Sequence, residues 1–212
     1  SDAKHSAFNF LKDYNYIKSG KSKLQILISK NIKSDNWTAV IDANLFSNEL
    51  NIGLVDYKKP KNTRGNLSGV FYFKNYNLVK IDKLNFYTED LIINSSLFFD
   101  HNRKLNKLEI NNYIQGKNDF GAEINLLTNG MNKIKIKGNS LDLKKFFGDE
   151  KNKNENTFFS LDVQNLFFGK TLIGQTFFEG QIENNKLKSI NGNCEFIDSS
   201  LLLLFISKIN SS

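Results

Sequence analysis

Cysteine and proline are almost absent from this chain of 212 residues, which contains one of each, Cys194 and Pro60. A single cysteine excludes an intramolecular disulfide. With one proline and 13 glycines, long stretches are free of the residues that interrupt strands. The turns must therefore depend largely on Asn and Asp, which are frequent between the apolar segments.

Arginine is also scarce, although the net charge of the chain is +7. Only Arg64 and Arg103 occur, and most lysines stand singly between apolar residues, as on the solvated face of a sheet. A nucleic-acid interface needs clustered positive charge, so we expect no nucleic-acid partner. A mild attraction to anionic lipid headgroups is compatible with this charge.

Long apolar runs are missing as well. The most apolar run extends from Leu201 to Ile206, whereas a membrane-spanning helix needs roughly 20 residues. The chain begins at Ser1 without methionine, and no signal peptide opens it. We therefore expect the sequence to be a fragment of a longer protein.

Recognisable catalytic and metal-binding motifs are lacking. The two histidines, His5 and His101, have no nearby set of further ligands, and a zinc site needs three or four. The sequence contains no Gly-rich phosphate loop, no nucleophilic serine elbow and no Cys–His motif. We therefore predict no enzyme, no catalytic residues, no metal and no cofactor.

The sequence does contain many segments of strand length in which apolar and polar residues alternate. Turn-forming clusters separate these segments at hairpin spacing, which predicts an all-β, mainly antiparallel fold. The predicted strands are 23–30, 38–45, 50–55, 67–73, 78–87, 91–99, 105–114, 120–127, 133–138, 157–168, 172–183 and 187–196, with a tight turn at Asn184-Asn185.

Several of these strands have one apolar and one polar side. The residues predicted to share the apolar side are Phe71 and Phe73, Leu97 and Phe99, Leu108 and Ile110, Ile124 and Leu126, and Ile134 and Ile136. An apolar side of this kind can pack on a second sheet, close on itself, or remain as a trough for another molecule. Periodicity does not distinguish these possibilities.

Two short helices and one boundary are also predicted. The apolar spacing changes at Ser140 to Phe147, behind a Ser140 cap, and a second short helix is expected from Asp198 or Ser199 to Ile206. Residues 149–156 contain no apolar residue and predict an exposed loop between a block at 1–148 and a block at 157–212. The segment from Ala7 to Lys18 fits a helix and a strand equally.

An ordered set of turns resembles one known family. The segments are DANLFSNELNIGLVDYKKPKNTRGNLSG (Asp42 to Gly69), IKIKGNSLDLKKFFG (Ile134 to Gly148) and FIDSSLLLLFISKI (Phe196 to Ile209). They are similar to the AsmA-like proteins of the YhdP type found in α-proteobacteria. Asn44 stands where that family usually has an acid, and many of the family's glycines and alanines are replaced by Asn, Lys and Phe.

The resemblance implies an elongated, curved β-groove with one or two short helices. It implies a periplasmic protein that is tethered to the inner membrane by parts outside this segment and carries phospholipid toward the outer membrane. The ten residues paired above would then be candidate lipid-lining residues, with acyl chains as the partner. Pro60 would fix a turn, and Asp142 would cap or orient the short helix.

Two alternatives remain at this point. One is a structural or adhesive β-sandwich, in which the apolar side is sealed by a second sheet. The other is an envelope assembly factor for outer-membrane proteins, which would use unpaired sheet edges to template incoming strands.

Overall fold

The computed structural model describes residues 17–127, 130–143, 156–183 and 186–195. The chain is all-β and mainly antiparallel, which confirms the predicted fold class. Eleven strands belong to one large sheet, and three short strands form a second sheet. The chain divides into two compact units, one ending at Leu105 and the other beginning at Asn106.

The first unit contains both sheets. Its part of the large sheet has the order β8-β7-β6-β3-β2, and the small sheet has the order β1-β4-β5. A 3-10 turn at Gly53–Val55 follows β4. The strands are β1 (Ile17–Ser19), β2 (Lys23–Lys30), β3 (Asn36–Asn44), β4 (Glu49–Ile52), β5 (Tyr57–Lys59), β6 (Gly65–Lys74), β7 (Asn77–Thr88) and β8 (Leu91–Phe99).

The second unit contributes the strand order β14-β13-β12-β11-β10-β9. Its neighbours are antiparallel except for β11 and β12, which run parallel over eleven paired positions. The strands are β9 (Leu105–Gln115), β10 (Asn118–Leu126), β11 (Met131–Asp142), β12 (Asn156–Phe168), β13 (Thr171–Glu183) and β14 (Lys186–Cys194).

Asn and Asp build several of the turns, while Gly116 and Gly169, with φ values of 59° and 65°, stand in the turns after β9 and β12. Asn75 and Tyr76 both have left-handed backbone angles, with φ values of 49° and 63°, in the two-residue turn between β6 and β7. This is the conformation of the primed turns that suit twisted hairpins. After β8, the Asp100 carboxylate accepts the backbone N–H groups of Asn102 (2.8 Å) and Lys104 (2.9 Å).

The small sheet belongs to a closed core at one end of the first unit. Leu50 and Tyr57 are buried there, together with Leu91, which is fully inaccessible. The Tyr57 ring meets Phe86 edge-on, and its hydroxyl donates to Thr88 Oγ1 at 2.6 Å. Desolvation by burial raises the pKa of Tyr57.

A buried lysine organises the loops at the same end. Lys59 is only 1% exposed, and its Nζ donates to the carbonyl oxygens of Asn48 (3.0 Å), Pro60 (3.0 Å) and Phe46 (3.3 Å). Burial lowers the pKa of Lys59. Three acceptors match the three donors of an ammonium group, which is how a lysine without an ion-pair partner is accommodated in a core.

The structure corrects the first part of the helix predicted at Ser140 to Phe147. Ser140, Leu141 and Asp142 are the last residues of β11, and Leu141 is 1% exposed. Strand pairing continues here because β12 supplies partners through Asp142. The Asp142 carboxylate accepts the backbone N–H of Gly169 at 2.8 Å and so holds the turn between β12 and β13. Its predicted role beside a short helix concerns residues after Leu143, which lie outside the described ranges.

Other predictions were incomplete or lie outside the described residues. The predicted strand 50–55 ends at Ile52, where the 3-10 turn begins, and neither β1 nor β5 was predicted. The rest of the helix after Leu143, the Asn184-Asn185 turn, the final helix to Ile206 and most of Ala7 to Lys18 fall outside the described ranges. The proposed blocks 1–148 and 157–212 stay a prediction.

Candidate functional site

The candidate residues of the first unit lie on one face of its large sheet. In the strand register, Phe71 is opposite Ala39 on one side and Ile81 on the other, and Ile81 is opposite Leu97. A second row joins Trp37, Phe73 and Leu78. Phe99 packs on the same cluster. All four sequence-predicted residues of this unit, Phe71, Phe73, Leu97 and Phe99, therefore meet in one apolar cluster.

The second unit contains two apolar rows of its own. One row is Leu108, Ile124, Ile134 and Phe159, and the other is Ile110, Ala122, Ile136, Leu161 and Phe178. Because residues directly opposite each other point to the same face, five of the predicted candidates share one face in this unit. The sixth, Leu126, lies opposite Asn132 at the end of its strand.

Sequence reasoning missed the continuation of these rows. Phe159, Leu161 and Phe178 extend the second unit's face across β12 and β13. In the first unit, Ile26 and Ile28 of β2 lie opposite Ile41 and Ala39. All five residues stand in strands that were predicted, and period-two spacing within 23–30, 157–168 and 172–183 was the signal that could have identified them.

Exposure varies along these faces. Of the ten candidates only Phe73 is buried, at 6%, and the other nine are half-buried. At the β2 edge the apolar side chains are open, with Ile26 at 50% and Ile28 at 64% exposed. Most candidates therefore keep accessible apolar surface.

The coverage of the apolar face differs between the units. In the first unit the small sheet belongs to the closed core at one end only. In the second unit, every strand between Asn106 and Glu195 that the structure describes belongs to the one large sheet. No described strand of that unit forms a second layer over the rows of Leu108 and Ile110.

The opposite face of the second unit is charged across β9, β10 and β11, whereas in β12 and β13 it carries Phe158 and Phe177, which are 38% and 40% exposed. Glu109, Glu123 and Lys135 form one row across β9, β10 and β11. Lys107 Nζ lies 2.7 Å from Glu109 and 3.6 Å from Glu123. A hydrogen bond from Asn125 lowers the pKa of Glu123, with Lys107 contributing, and the hydrogen bond to Glu109 raises the pKa of Lys107. These groups are stabilised in their charged forms and keep this face in water.

The corresponding face of the first unit carries a hydrogen-bonded carboxylate. Ser96 donates to Asp82 Oδ1 at 2.8 Å, and Lys80 Nζ lies 3.2 Å from the same oxygen. The Ser96 hydroxyl, together with Lys80, lowers the pKa of Asp82. The stability that Asp82 contributes is therefore present above its unfolded pKa and is lost as the pH falls through the lower folded value.

Replacing Ser96 with Ala is expected to raise the Asp82 pKa toward its ordinary value. The variant should then lose stability at a higher pH than the parent during acid titration, with a cost of about 1 kcal/mol at neutral pH. NMR titration of the Asp82 carboxyl measures the first effect, and urea unfolding at pH 7 and pH 3 measures the second. An unchanged Asp82 pKa would contradict the assignment.

Reactive groups are sparse in the described part of the chain. No three His, Cys, Asp or Glu side chains come together as metal ligands among those residues. Cys194 is half-buried, its Sγ lies 3.1 Å from Thr176 Oγ1, and burial raises its pKa. No helix within the described ranges is long and apolar enough to span a bilayer.

No family model, curated protein or solved structure matches this chain. The resemblance to AsmA-like proteins therefore stays a prediction.

Proposed function

We propose that this chain is a segment of an AsmA-like, bridge-type envelope protein whose apolar sheet face carries phospholipid between the inner and outer membranes. The observation that supports the proposal is the second unit's single layer of strands. Its rows from Leu108 to Phe159 and from Ile110 to Phe178 are apolar, and the reverse face is charged across β9, β10 and β11. Acyl chains are the partner that such a face accommodates.

Burial of hydrocarbon supplies the free energy for this interaction. Each methylene that leaves water on such a face contributes about 0.8 kcal/mol, without any directional requirement. Because hydrophobic contact is non-directional, an acyl chain can move along the face without breaking specific hydrogen bonds. A passive face of this kind lets lipid run only down its gradient, so direction is set by partners and energy outside this segment.

The chain's own residues have no chemical step to perform in this proposal. The candidate lining residues supply contact area, and the charged row of Glu109, Glu123 and Lys135 keeps the other face in water. The proposed location is the periplasm, with membrane attachment through parts of the protein outside this segment.

Photo-crosslinking tests the proposal. A benzophenone amino acid at Phe99 or Ile124 is expected to crosslink to phospholipid in cells. Matched positions on the reverse face, Tyr72 in the first unit and Lys135 in the second, are expected to give none. Crosslinks at Tyr72 and Lys135 but not at Phe99 and Ile124 would overturn the assignment.

A closed structural domain is the second candidate, because one specific region favours it. At the small sheet, Leu50, Tyr57 and Leu91 form a sealed core with no surface available to a ligand. If the remaining apolar face were sealed in the same way, purified protein would contain no extractable phospholipid, and Phe99 and Ile124 would crosslink only to protein.

A further inference from the structure

One end of the first unit combines exposed apolar side chains with positive charge. We call this region the turn end; it consists of residues 28–37, 74–77 and 100–104. The backbone N–H of Asn75 donates to the Asp35 carbonyl at 3.3 Å, and Arg103 Nε donates to Asn77 Oδ1 at 2.8 Å. Three separate turns are thereby held side by side.

The turn end exposes large apolar groups to an unusual degree. Ile32, in the turn between β2 and β3, is 99% exposed, Tyr76 is 71% exposed, and Ile28 is 64% exposed. Tyr76 also occupies a left-handed backbone position, with φ of 63°, where glycine is the favoured residue. Side chains this exposed contribute little to the core of the fold, and a group of them on one surface is typical of a site that contacts another molecule.

Trp37 completes this region. Its ring stacks on Phe73 with centroids 3.7 Å apart, and it lines a shallow pocket with Ile28, Lys30 and Tyr76. Its Nε1–H is buried without a hydrogen-bond acceptor in the described part of the chain. Trp and Tyr have an apolar body and a polar group, and both are enriched where hydrocarbon meets water at membrane surfaces.

The charge of the turn end distinguishes it from the opposite end of the same unit. The only ion pair described there, between Lys30 and Asp35, is long at 3.9 Å and more than half exposed on both sides, so it neutralises little. The opposite end is closed by the small sheet. Its four acidic residues nearly balance its five exposed cations; the acids are Glu49, Asp56, Glu89 and Asp90, and the cations are Lys21, Lys23, Lys58, Lys61 and Arg64. At the turn end, two carboxylates, Asp35 and Asp100, face five exposed cations: Lys30, Lys33, Lys74, Arg103 and Lys104.

We infer that the turn end docks on an anionic phospholipid surface. Ile32 and Tyr76 enter the headgroup region, and the surrounding cations contact lipid phosphates. An ester or phosphate oxygen that reached the pocket would supply the acceptor that the Trp37 Nε1–H lacks. The apolar cluster of Phe71, Ile81 and Leu97 lies on the same face as Trp37, so docking would place lipid at the beginning of that face. The membrane contact itself does not depend on the proposed function. Only its purpose, which is to deliver lipid to the apolar face, rests on that function.

Trp37 is the only tryptophan in the chain, so its fluorescence reports on this region alone. The full chain is titrated with vesicles of phosphatidylcholine and phosphatidylglycerol, and with vesicles of phosphatidylcholine alone. We expect the Trp37 emission to shift to the blue with the anionic vesicles only, and the shift to weaken as salt is added. Absence of any shift or vesicle co-sedimentation overturns the inference.

A double variant, Ile32→Asn with Tyr76→Gly, removes the inserted groups without harming the fold. Ile32 has almost no contact with the protein, and glycine suits the left-handed position of Tyr76. Its affinity for anionic vesicles is expected to fall at least about tenfold, as loss of two buried apolar groups predicts. Phe46→Ser is the matched control, because Phe46 is 48% exposed at the opposite end; an equal loss in that control overturns the inference.

Crosslinking from Ile124 separates this inference from the proposed function. If vesicle binding depends on Ile32 and Tyr76 but Ile124 never crosslinks to lipid, the membrane contact is supported and the lipid-carrier function is rejected. Normal crosslinking at Ile124 with vesicle binding unaffected by the double variant retains the carrier and overturns the membrane contact.

Discussion

A protein with Asp in place of Ile134 is expected to retain less than about one tenth of the phospholipid bound by the parent, because several kcal/mol are needed to desolvate a carboxylate. Ile134 lies directly between Ile124 and Phe159, in the middle of the second unit's apolar row. An acyl chain on that row would have to strip water from the new charge. Mass spectrometry of lipids extracted from the purified protein measures the loss.

Lys133→Asn is the matched control for this experiment. It lowers the net charge by one, as Ile134→Asp does, but Lys133 is exposed on the opposite face, beside Asn125. We expect this control to bind lipid like the parent. Ile134→Trp adds bulk without charge, and it should also reduce lipid content while retaining the melting temperature. If Ile134→Asp and Ile134→Trp both bound as much lipid as the parent and the Lys133→Asn control, this face would not contact acyl chains.

The second large effect is expected for Gly138→Ala, which should reduce the free energy of unfolding by about 3 kcal/mol. A Cβ atom at Gly138 would lie 2.5 Å from the Asp119 carbonyl oxygen and 2.5 Å from Phe120 Cα. Both are backbone atoms, so no side chain can move aside to relieve the clash. The two central strands β10 and β11 would have to separate, which would disturb the stack of Phe120 on Tyr113 at 4.9 Å.

Urea unfolding followed by far-UV circular dichroism measures this loss. Gly53→Ala serves as the control, because a Cβ atom at Gly53 meets no atom within 4 Å. The control should change the free energy of unfolding by less than about 0.5 kcal/mol. A loss below about 1 kcal/mol for Gly138→Ala would mean that the backbones of β10 and β11 do not approach each other this closely at Gly138.

The strands of this protein were predictable where alternation and polar boundaries coincide. The limits of β2 and β8 agree with the predicted 23–30 and 91–99, because Lys, Asp and Asn enclose a clear period-two pattern. Ser140 to Asp142 was misassigned for the opposite reason. Its apolar spacing is compatible with a helix, and pairing with β10 and β12 keeps it extended, because Ser140 lies opposite Asp119 on one side and Asn165 on the other.

The face on which each candidate lies was predictable, but its neighbours were not. Alternation within a strand indicates which residues share a side, whereas the row from Leu108 to Phe159 exists only through the register of four strands. The parallel direction of β12 has no local signal for the same reason. Lys59 is a further case, because nothing in the polar run Tyr57 to Lys61 indicates that one lysine is buried under three carbonyl groups.

In the second unit, where the described strands form a single layer, the chain can vary in length without a change in a shared core. Each described strand there contacts mainly the strands beside it, so its stability approximates a sum over neighbouring interfaces, as in solenoid proteins. A hairpin gained or lost at an end would leave the interior interfaces unchanged. Each added strand would widen the sheet by about 4.8 Å. The reach of such a surface is therefore a property of strand number, which a gene can adjust by duplication without redesigning a core.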